Sequence, residues 1–349
     1  MCYLDNNCIE YKMDNYKMSH HKKVSVAMCT YNGAKYLREQ IDSILSQTYP
    51  LYEIIVRDDC SDDDTWAILQ EYQSKSSVLK CFQNDYNLGY GLNFKMAIQQ
   101  CSGDYIAFSD QDDIWKPNKI EILVQIIGEE KMLAISNSKI EGDSNTEQEN
   151  IFHTSNPNSL TIEKLIWDNT IFGHACMINA LMHSYINKMQ VETAHDYLIA
   201  LIAYALNSVV ITDKELQVWR RHSDAVLGLS ISQEQAEKKK IKGINKTLYA
   251  ICCLLVARKS TVIQQGYRKI QYVLSQLTAE EGVSKNINDL VLLTRCMGRQ
   301  SLFSYWKASC ICWKLKDEMF DNKGRSLRNR LLIFSFVYRW WYDHRFDMS

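Results

Sequence analysis

Residues 103–117 read Gly-Asp-Tyr-Ile-Ala-Phe-Ser-Asp-Gln-Asp-Asp-Ile-Trp-Lys-Pro. The apolar run at 105–109 predicts a buried strand, and three carboxylates follow it within four residues: Asp110, Asp112 and Asp113. Such clustering is electrostatically unfavourable unless a cation or solvent offsets it. Because Mg²⁺ and Mn²⁺ prefer carboxylate ligands, the stretch indicates either a metal site or a solvated acidic loop that precedes a helix.

The residues N-terminal to this stretch repeat the same unit of strand, polar loop and helix. We expect strands at 24–29, 53–57 and 78–82, and helices between them that carry apolar residues at helical spacing. This alternation predicts a doubly wound, mostly parallel α/β sheet, which binds ligands beyond the carboxyl ends of its strands. Polar residues follow each predicted strand there: Thr30, Tyr31, Asn32, Asp58, Asp59, Asn84 and Asp85. Further along the chain, a strand is expected near 208–212.

The charge of the chain is unevenly distributed along its 349 residues. Residues 230–349 carry 21 Lys+Arg against 10 Asp+Glu, whereas residues 1–229 carry 19 against 31. We therefore divide the chain into a polar arm (1–22), an α/β domain (23–230) and a basic helical region (231–349). The basic, aromatic end of that region predicts either peripheral membrane contact or a solvated face. No nucleic-acid recognition motif accompanies the charge, so we expect no nucleic-acid partner.

The expected location is the cytoplasm, with peripheral contact to the inner face of the cell membrane as a further expectation. The first 16 residues contain no apolar segment of the kind found in signal peptides, and no apolar run approaches the ~20 residues that span a bilayer. The 12 cysteines form no C-x-x-C pair, which indicates reduced thiols.

Five ordered blocks together resemble glycosyltransferase family 2. They read VSVAMCTYNG at 24–33, ILSQTYP at 44–50, EIIVRDDCSDDDT at 53–65, NLG at 87–89 and GDYIAFSDQDDIWKP at 103–117. The resemblance implies the GT-A fold, with a nucleotide-sugar-binding sheet and inversion at the anomeric carbon, whereas the α-helical C-terminal region is predicted from helical periodicity over residues 233–345. The SDQDDIW variant and later blocks at 169–173, 195–201 and 219–228 resemble a bacterial rhamnosyltransferase-like branch of surface-polysaccharide synthesis.

The family's functional residues carry over to matching positions of this chain. The resemblance makes Asp196 the catalytic base and assigns the metal, Mn²⁺ or Mg²⁺, to Asp112, Asp113 and His222. It assigns the nucleotide-sugar donor to Thr30, Tyr31, Asn32, Glu39, Asp58, Asp59, Asn87, Gly89, Lys95, Asp110 and Arg221. Helix capping is the alternative role for Asp196, and an ordinary surface position is the alternative for His222. His174 departs from the branch, in which a small residue usually follows Gly173.

The resemblance predicts a metal-dependent inverting hexosyltransferase. The expected donor is dTDP-rhamnose and the expected acceptor a glycan or a lipid-linked sugar, with UDP-hexose or UDP-N-acetylhexosamine as alternative donors. A non-catalytic nucleotide-sugar-binding scaffold is the alternative from another class. A metal-dependent nucleotidyltransferase is less well supported, because residues 30–35 contain one glycine rather than a glycine-rich triphosphate loop.

Overall fold

The computed structural model describes residues 21–142, 160–166, 169, 171–189, 191, 193–222, 261–299 and 302–319. The strands are β1 (Val24–Thr30), β2 (Glu53–Asp58), β3 (Leu79–Gln83), β4 (Tyr105–Ser109), β5 (Ile114–Trp115), β6 (Leu133–Gly142), β7 (Cys176–Asn179) and β8 (Val209–Arg221). The helices are α1 (Ala34–Leu45), α2 (Thr65–Lys75), α3 (Tyr90–Gln100), α4 (Lys119–Ile127), α5 (Ile162–Leu165), α6 (Ala180–Lys188), α7 (His195–Ala205), α8 (Thr261–Leu277), α9 (Ile287–Met297), α10 (Leu302–Lys314) and α11 (Lys316–Met319).

The eight strands form one sheet in the order β3-β2-β1-β4-β7-β6-β8-β5. Strands β1 to β4 are parallel, as the alternation predicts, and β7 is antiparallel to both of its neighbours. Strands β6 and β8 pair in parallel, so β8 ends at the same edge of the sheet as β4. The loop after β4 and the residues after β8 therefore meet although they are over a hundred positions apart.

Three strands were not predicted from the pattern, and a fourth is longer than predicted. The strand expected at 208–212 runs on to Arg221, and β5, β6 and β7 have no counterpart in the prediction. The sequence of β6 does not have the pattern of a buried strand, because buried Ser136, Asn137 and Ser138 interrupt its apolar run. The register with β8 shifts at these residues, so neither strand shows a clean two-residue period.

The sheet separates two apolar layers because successive side chains of a strand point to opposite faces. On β1, Val26 and Met28 pack in the layer that contains α1, α2 and α4, whereas Ala27 faces the opposite layer. That opposite layer includes Phe108 of β4 and most of α7. Helix α7 is accordingly buried on nearly every side, and its first turn lies at the functional edge of the sheet.

The described C-terminal helices pack onto the α7 side of the sheet. Tyr267, Leu274 and Leu290 share one apolar core with α7, and Ser284 N donates to Ala205 O at 2.7 Å. The boundary predicted near residue 230 and the basic aromatic end lie outside the described residues, so the domain division stays a prediction. Within the described residues, no helix combines the length and the apolar character needed to cross a membrane.

Candidate active site

The loops after β2 and β3 are held together around Asp59. Its Oδ1 accepts hydrogen bonds from Asn84 Nδ2 and Leu88 N, both at 2.8 Å, and its Oδ2 accepts one from Gly89 N at 2.9 Å. Asn87 Oδ1 also accepts from Gly89 N, at 3.0 Å. The structure thus brings together Asp59, Asn87 and Gly89, which were predicted to belong to one donor site.

Asp58 and Thr30 face each other across the adjacent ends of β2 and β1. Thr30 Oγ1 donates to Asp58 Oδ1 at 2.9 Å, and the same carboxylate accepts hydrogen bonds from Ser61 and Gln83. Asp58 is fully buried. Its hydrogen bonds hold the loop that contains Asp59. The neighbouring Tyr31 is 48% exposed, so its ring is accessible to a ligand.

Two histidines from distant segments contact the acidic loop after β4. His174 Nδ1 lies 3.2 Å from Asp110 Oδ2 and 3.6 Å from Asp113 Oδ2. His222 Nε2 lies 2.8 Å from Asp112 Oδ2. The predicted metal residues Asp112 and His222 are therefore paired, whereas Asp113 faces Asp110 and His174 rather than His222.

The buried charges of the loop strongly affect one another. Burial raises the pKa of Asp113 to about 7, and burial followed by the charge of Asp110 raises the pKa of Asp112. Desolvation acts to raise the pKa of Asp110, but the hydrogen bond from His174, together with the charges of His174, His195 and Lys119, outweighs it and holds that pKa below its usual range. Burial disfavours the His174 imidazolium, yet Asp113 and Asp110 raise its pKa.

Lys119 adds a buried amine beside this loop. It is fully buried at the start of α4, and its Nζ donates to the backbone oxygen of His174 at 2.7 Å and to Gln217 Oε1. The amine also lies 3.9 Å from the ring centroid of Trp115. Burial lowers the pKa of Lys119 to about 7. Lys119 thereby connects α4, the segment of His174 and β8.

Asp196 lies in the first turn of α7, half-buried, at the same edge of the sheet. Its Oδ1 accepts from Tyr197 N at 2.6 Å, and burial raises its pKa, with a smaller contribution from the negative charge of Asp110. Ala194, not Asp196, is the N-cap residue of this helix. The neighbouring His195 stacks on Phe94 with ring centroids 3.9 Å apart, and burial lowers the pKa of its imidazole.

The end of β8 is anchored to α1. Arg220 forms an ion pair with Glu39, and its guanidinium lies 5.3 Å from the ring centroid of Tyr36. The Tyr36 ring also contacts His222, with ring centroids 4.8 Å apart. These contacts place the imidazole of His222 beside Asp112, so Glu39 supports the site through Arg220.

Comparison with known proteins identifies the family. The family model described as "Glycosyl transferase family 2" matches residues 25–189. TuaG, a Bacillus subtilis protein assigned by name to teichuronic acid biosynthesis as a glycosyltransferase, is 30% identical over 175 residues, which cover 50% of this chain and 68% of TuaG. The chain belongs to glycosyltransferase family 2.

Two further similarities bear on this family 2 glycosyltransferase. The Escherichia coli protein WfaP, named a UDP-Glc:alpha-D-GlcNAc-diphosphoundecaprenol beta-1,3-glucosyltransferase, is 38% identical over 121 residues, 34% of this chain and 47% of WfaP. The structure of Staphylococcus aureus TarS 1–349 solved with UDP matches with a TM-score of 0.54 at 18% identity, covering 91% of this chain and 89% of that one. The expected GT-A fold is confirmed.

Three further residues of this glycosyltransferase were predicted to bind the donor: Asn32, Lys95 and Arg221. Asn32 has a backbone φ of 48°, and its Oδ1 accepts from Asp62 N at 3.0 Å, so it shapes the loop after β1. Lys95 is half-buried on α3, next to Phe94. The Arg221 guanidinium lies 4.9 Å from the ring centroid of Trp219.

The sequence interpretation missed two residues of the site, Gln111 and Lys119. Gln111 lies between carboxylates whose pattern predicts a cation site and gives no role to an amide, yet its side chain forms hydrogen bonds with the loop after β1. Lys119 stands among apolar positions of an amphipathic helix, where a lysine ordinarily points to solvent. His174 differs from the small residue usual in the resembled branch, but nothing in the sequence pattern indicates its contact with Asp110.

Proposed function

We propose that this chain is a metal-dependent inverting glycosyltransferase that moves a sugar from a nucleotide diphosphate to a glycan or lipid-linked acceptor in surface-polysaccharide synthesis. The observation that carries the proposal is the convergence of Asp59, the acidic loop and Asp196 on one edge of the sheet. Asp196 and Asp110 lie close enough for the charge of one to raise the pKa of the other. A donor bound along the loops would thus lie next to a half-buried carboxylate.

The nucleoside is assigned to the loops after β1 and β2. Asp59 is held by three hydrogen bonds from backbone and amide groups, and its remaining lone pairs can accept the ring N3–H of uracil or thymine. The exposed ring of Tyr31 supplies a surface on which a base can stack. One carboxylate oxygen of Asp110, whose side chain is 43% exposed, is assigned to the ribose.

The cation is assigned first to Asp112 and His222. One carboxylate and one imidazole, 2.8 Å apart and both about 15% exposed, are a donor set that suits Mn²⁺. A cation there would offset the negative charge that grows on the departing diphosphate. Arg220, held by Glu39 and Tyr36, keeps the segment of His222 against the acidic loop.

Asp196 is assigned as the base that takes the proton of the acceptor hydroxyl. As the acceptor oxygen forms its bond to the anomeric carbon, the bond from that carbon to the diphosphate oxygen breaks, and the configuration inverts. A single carboxylate on the acceptor side suffices for this displacement. Its raised pKa brings Asp196 nearer to the range in which a carboxylate accepts a proton effectively at neutral pH.

The substrates are proposed from the names of the relatives and from the branch resemblance. WfaP is named for a UDP-glucose donor and a diphosphoundecaprenol-linked acceptor, which supports a UDP-sugar donor and a lipid-linked acceptor here. The resemblance to the rhamnosyltransferase-like branch supports dTDP-rhamnose instead. A lipid-linked acceptor would accord with peripheral contact between the basic C-terminal region and the inner face of the membrane.

Release of nucleoside diphosphate by the purified full chain tests the proposal. The donor panel contains dTDP-rhamnose, UDP-glucose and UDP-N-acetylglucosamine, each with Mn²⁺, Mg²⁺ or chelator. We expect release from one donor that requires a cation and is lost in Asp112→Asn, while the exposed Asp64→Asn serves as the matched control. If a donor binds but no nucleoside diphosphate is released, even when lipid-linked acceptors are supplied, the result would favour the non-catalytic scaffold.

A further inference from the structure

A second group of candidate ligands lies beside the pair assigned to the cation above. Asp110, Asp113 and His174 each offer one ligand atom, and these atoms lie within 4.8 Å of one another. Asp113 is fully buried and His174 is 3% exposed. We call these three residues the inner cluster, and they are separate from the pair of Asp112 and His222.

The inner cluster has an unsatisfied carboxylate oxygen at its centre. Asp113 Oδ2 is buried without a hydrogen-bond donor in the part of the chain that the structure describes, although it points to within 3.6 Å of His174 Nδ1. That nitrogen carries one hydrogen at most, and Asp110 Oδ2 is the nearer acceptor at 3.2 Å. A buried carboxylate oxygen without a partner is costly, which indicates a missing positive ligand.

The neighbouring amine does not take that place. The Nζ of Lys119 donates to the backbone oxygen of His174 and to the amide oxygen of Gln217, which are neutral acceptors. One imidazolium opposite two carboxylates leaves the cluster negative. Two carboxylate oxygens and one imidazole nitrogen instead match the ligands of a divalent transition-metal cation.

The backbone around His174 is fixed tightly enough to hold a ligand in place. A Cβ added to Gly173 would lie 2.5 Å from His195 Nε2, so the chain approaches the buried His195 ring directly. On its other side, the His174 ring lies parallel to Phe172 with centroids 5.8 Å apart. The neighbouring Phe172 ring therefore restricts the orientation of the His174 imidazole.

We propose that Asp110, Asp113 and His174 form a cation position distinct from Asp112 and His222, and that the imidazole makes it select Mn²⁺ over Mg²⁺. The proposal rests on the proposed function for the role of the site, but cation binding can be measured without donor or turnover. Mg²⁺ favours an all-oxygen octahedral shell and retains its waters, whereas Mn²⁺, as a transition-metal cation, accepts an imidazole ligand more readily than Mg²⁺ does. The departure at His174 thus adds a selective ligand to a loop that otherwise offers carboxylates.

The test measures Mn²⁺ and Mg²⁺ binding to the chelator-stripped full chain by calorimetry, and Mn²⁺ also by its electron paramagnetic resonance signal, without donor. His174→Asn removes the ligand, and His222→Asn alters the other pair. His183→Asn, on α6, is the control for loss of a histidine elsewhere. We expect His174→Asn to lose one Mn²⁺ or to weaken its binding by at least about tenfold, a loss of the size seen when groups around a metal are altered. Mg²⁺ binding should change much less.

Retention of that Mn²⁺ in His222→Asn supports a distinct position. Unchanged Mn²⁺ binding in His174→Asn would overturn the proposal, as would equal losses of Mn²⁺ and Mg²⁺, which indicate a purely structural role. Should His174→Asn fail to fold by circular dichroism, His174→Gln replaces it with the same expected losses. Failure of the proposed function has a different signature, because donor release would then be absent or independent of added cation whatever the inner cluster binds.

Discussion

The side-chain amide of Gln111 forms two hydrogen bonds with the backbone of Tyr31. Tyr31 N donates to Gln111 Oε1 at 2.8 Å, and Gln111 Nε2 donates to Tyr31 O at 3.0 Å. The pairing satisfies both backbone groups of Tyr31 and joins the loop after β1 to the acidic loop after β4. The proposed base-binding and cation-binding loops are therefore held at a fixed separation by one glutamine.

Replacing Gln111 with alanine should weaken donor binding more than it slows turnover. Each neutral hydrogen bond contributes about 0.5–1.5 kcal/mol, so the loss of two predicts an increase in the donor dissociation constant of about 5- to 160-fold. Calorimetric titration with the preferred nucleotide donor measures it. Gln125→Ala, on the exposed face of α4, is the matched control. Equal donor affinity in both variants would contradict the role given to Gln111.

Gly173→Ala should reduce sugar transfer because the new methyl group overlaps the His195 ring. That ring is stacked against Phe94 and cannot retreat freely. Combining Gly173→Ala with His195→Ala should restore part of the loss, since the smaller side chain removes the overlap. A double-mutant cycle on transfer rate should give a coupling energy of about 1 kcal/mol or more. Strict additivity of the two changes would contradict direct contact between these positions.

Asp196→Asn should abolish transfer while leaving donor binding intact. General-base catalysis contributes about 10²- to 10⁴-fold, and an amide cannot accept the acceptor proton. Transfer rates to the natural acceptor, together with the donor dissociation constant, separate the two effects. Asp64→Asn should match the wild type in both. A variant with the wild-type rate would remove Asp196 from the chemistry.

The pH profile of transfer should report the raised pKa of Asp196. The base works only when ionised, so kcat/KM should fall as the pH drops through the pKa of Asp196. Because burial raises that pKa, the fall should occur above the ordinary aspartate value of 3.8. Measurement at saturating cation across pH 4–9 tests this point. A rate that stays constant down to pH 4 would indicate that Asp196 is not the base.

Glu53→Gln should destabilise the fold without changing the candidate active site. The Glu53 carboxylate is buried, and it accepts hydrogen bonds from Ser25, Ser102 and Lys80. Burial works against the charge, but these partners outweigh it and lower the pKa of Glu53. We expect a loss of about 1–3 kcal/mol in the free energy of unfolding at pH 7, measured by urea denaturation, with Glu130→Gln as the control.

The same substitution predicts a pH dependence with a definite sign. A lowered pKa in the folded state adds stability above the ordinary glutamate value of 4.5, and this stability is lost as the pH falls through the lowered value. The difference between wild type and Glu53→Gln should therefore shrink below pH 4.5. A difference that grows toward low pH would contradict the assigned hydrogen bonds.

The amino-acid pattern alone determined the parallel half of the sheet and the identity of the acidic loop. Strands β1, β2 and β4 carry nearly continuous apolar runs that end in polar residues, and such runs report burial on both faces of a parallel strand. Asp59, Asp110 and Asp112 could be singled out because each follows a strand that the pattern predicts. The family resemblance, which rests on ordered local blocks, extended this to Asp196.

Only the tertiary structure decided which distant residues meet the acidic loop. The segment before the antiparallel β7 brings His174 to Asp110 and Asp113, and the long β8 brings His222 to Asp112. Strand β7 is only four residues long, and β8 pairs across register shifts, so the pattern predicted neither strand in full. The pairing of Asp113 with His174 rather than His222 likewise depends on strand order. Local sequence encodes the direction and burial of a strand, but packing of the whole chain determines which strands lie next to it. The residues that meet in a site follow from that strand order.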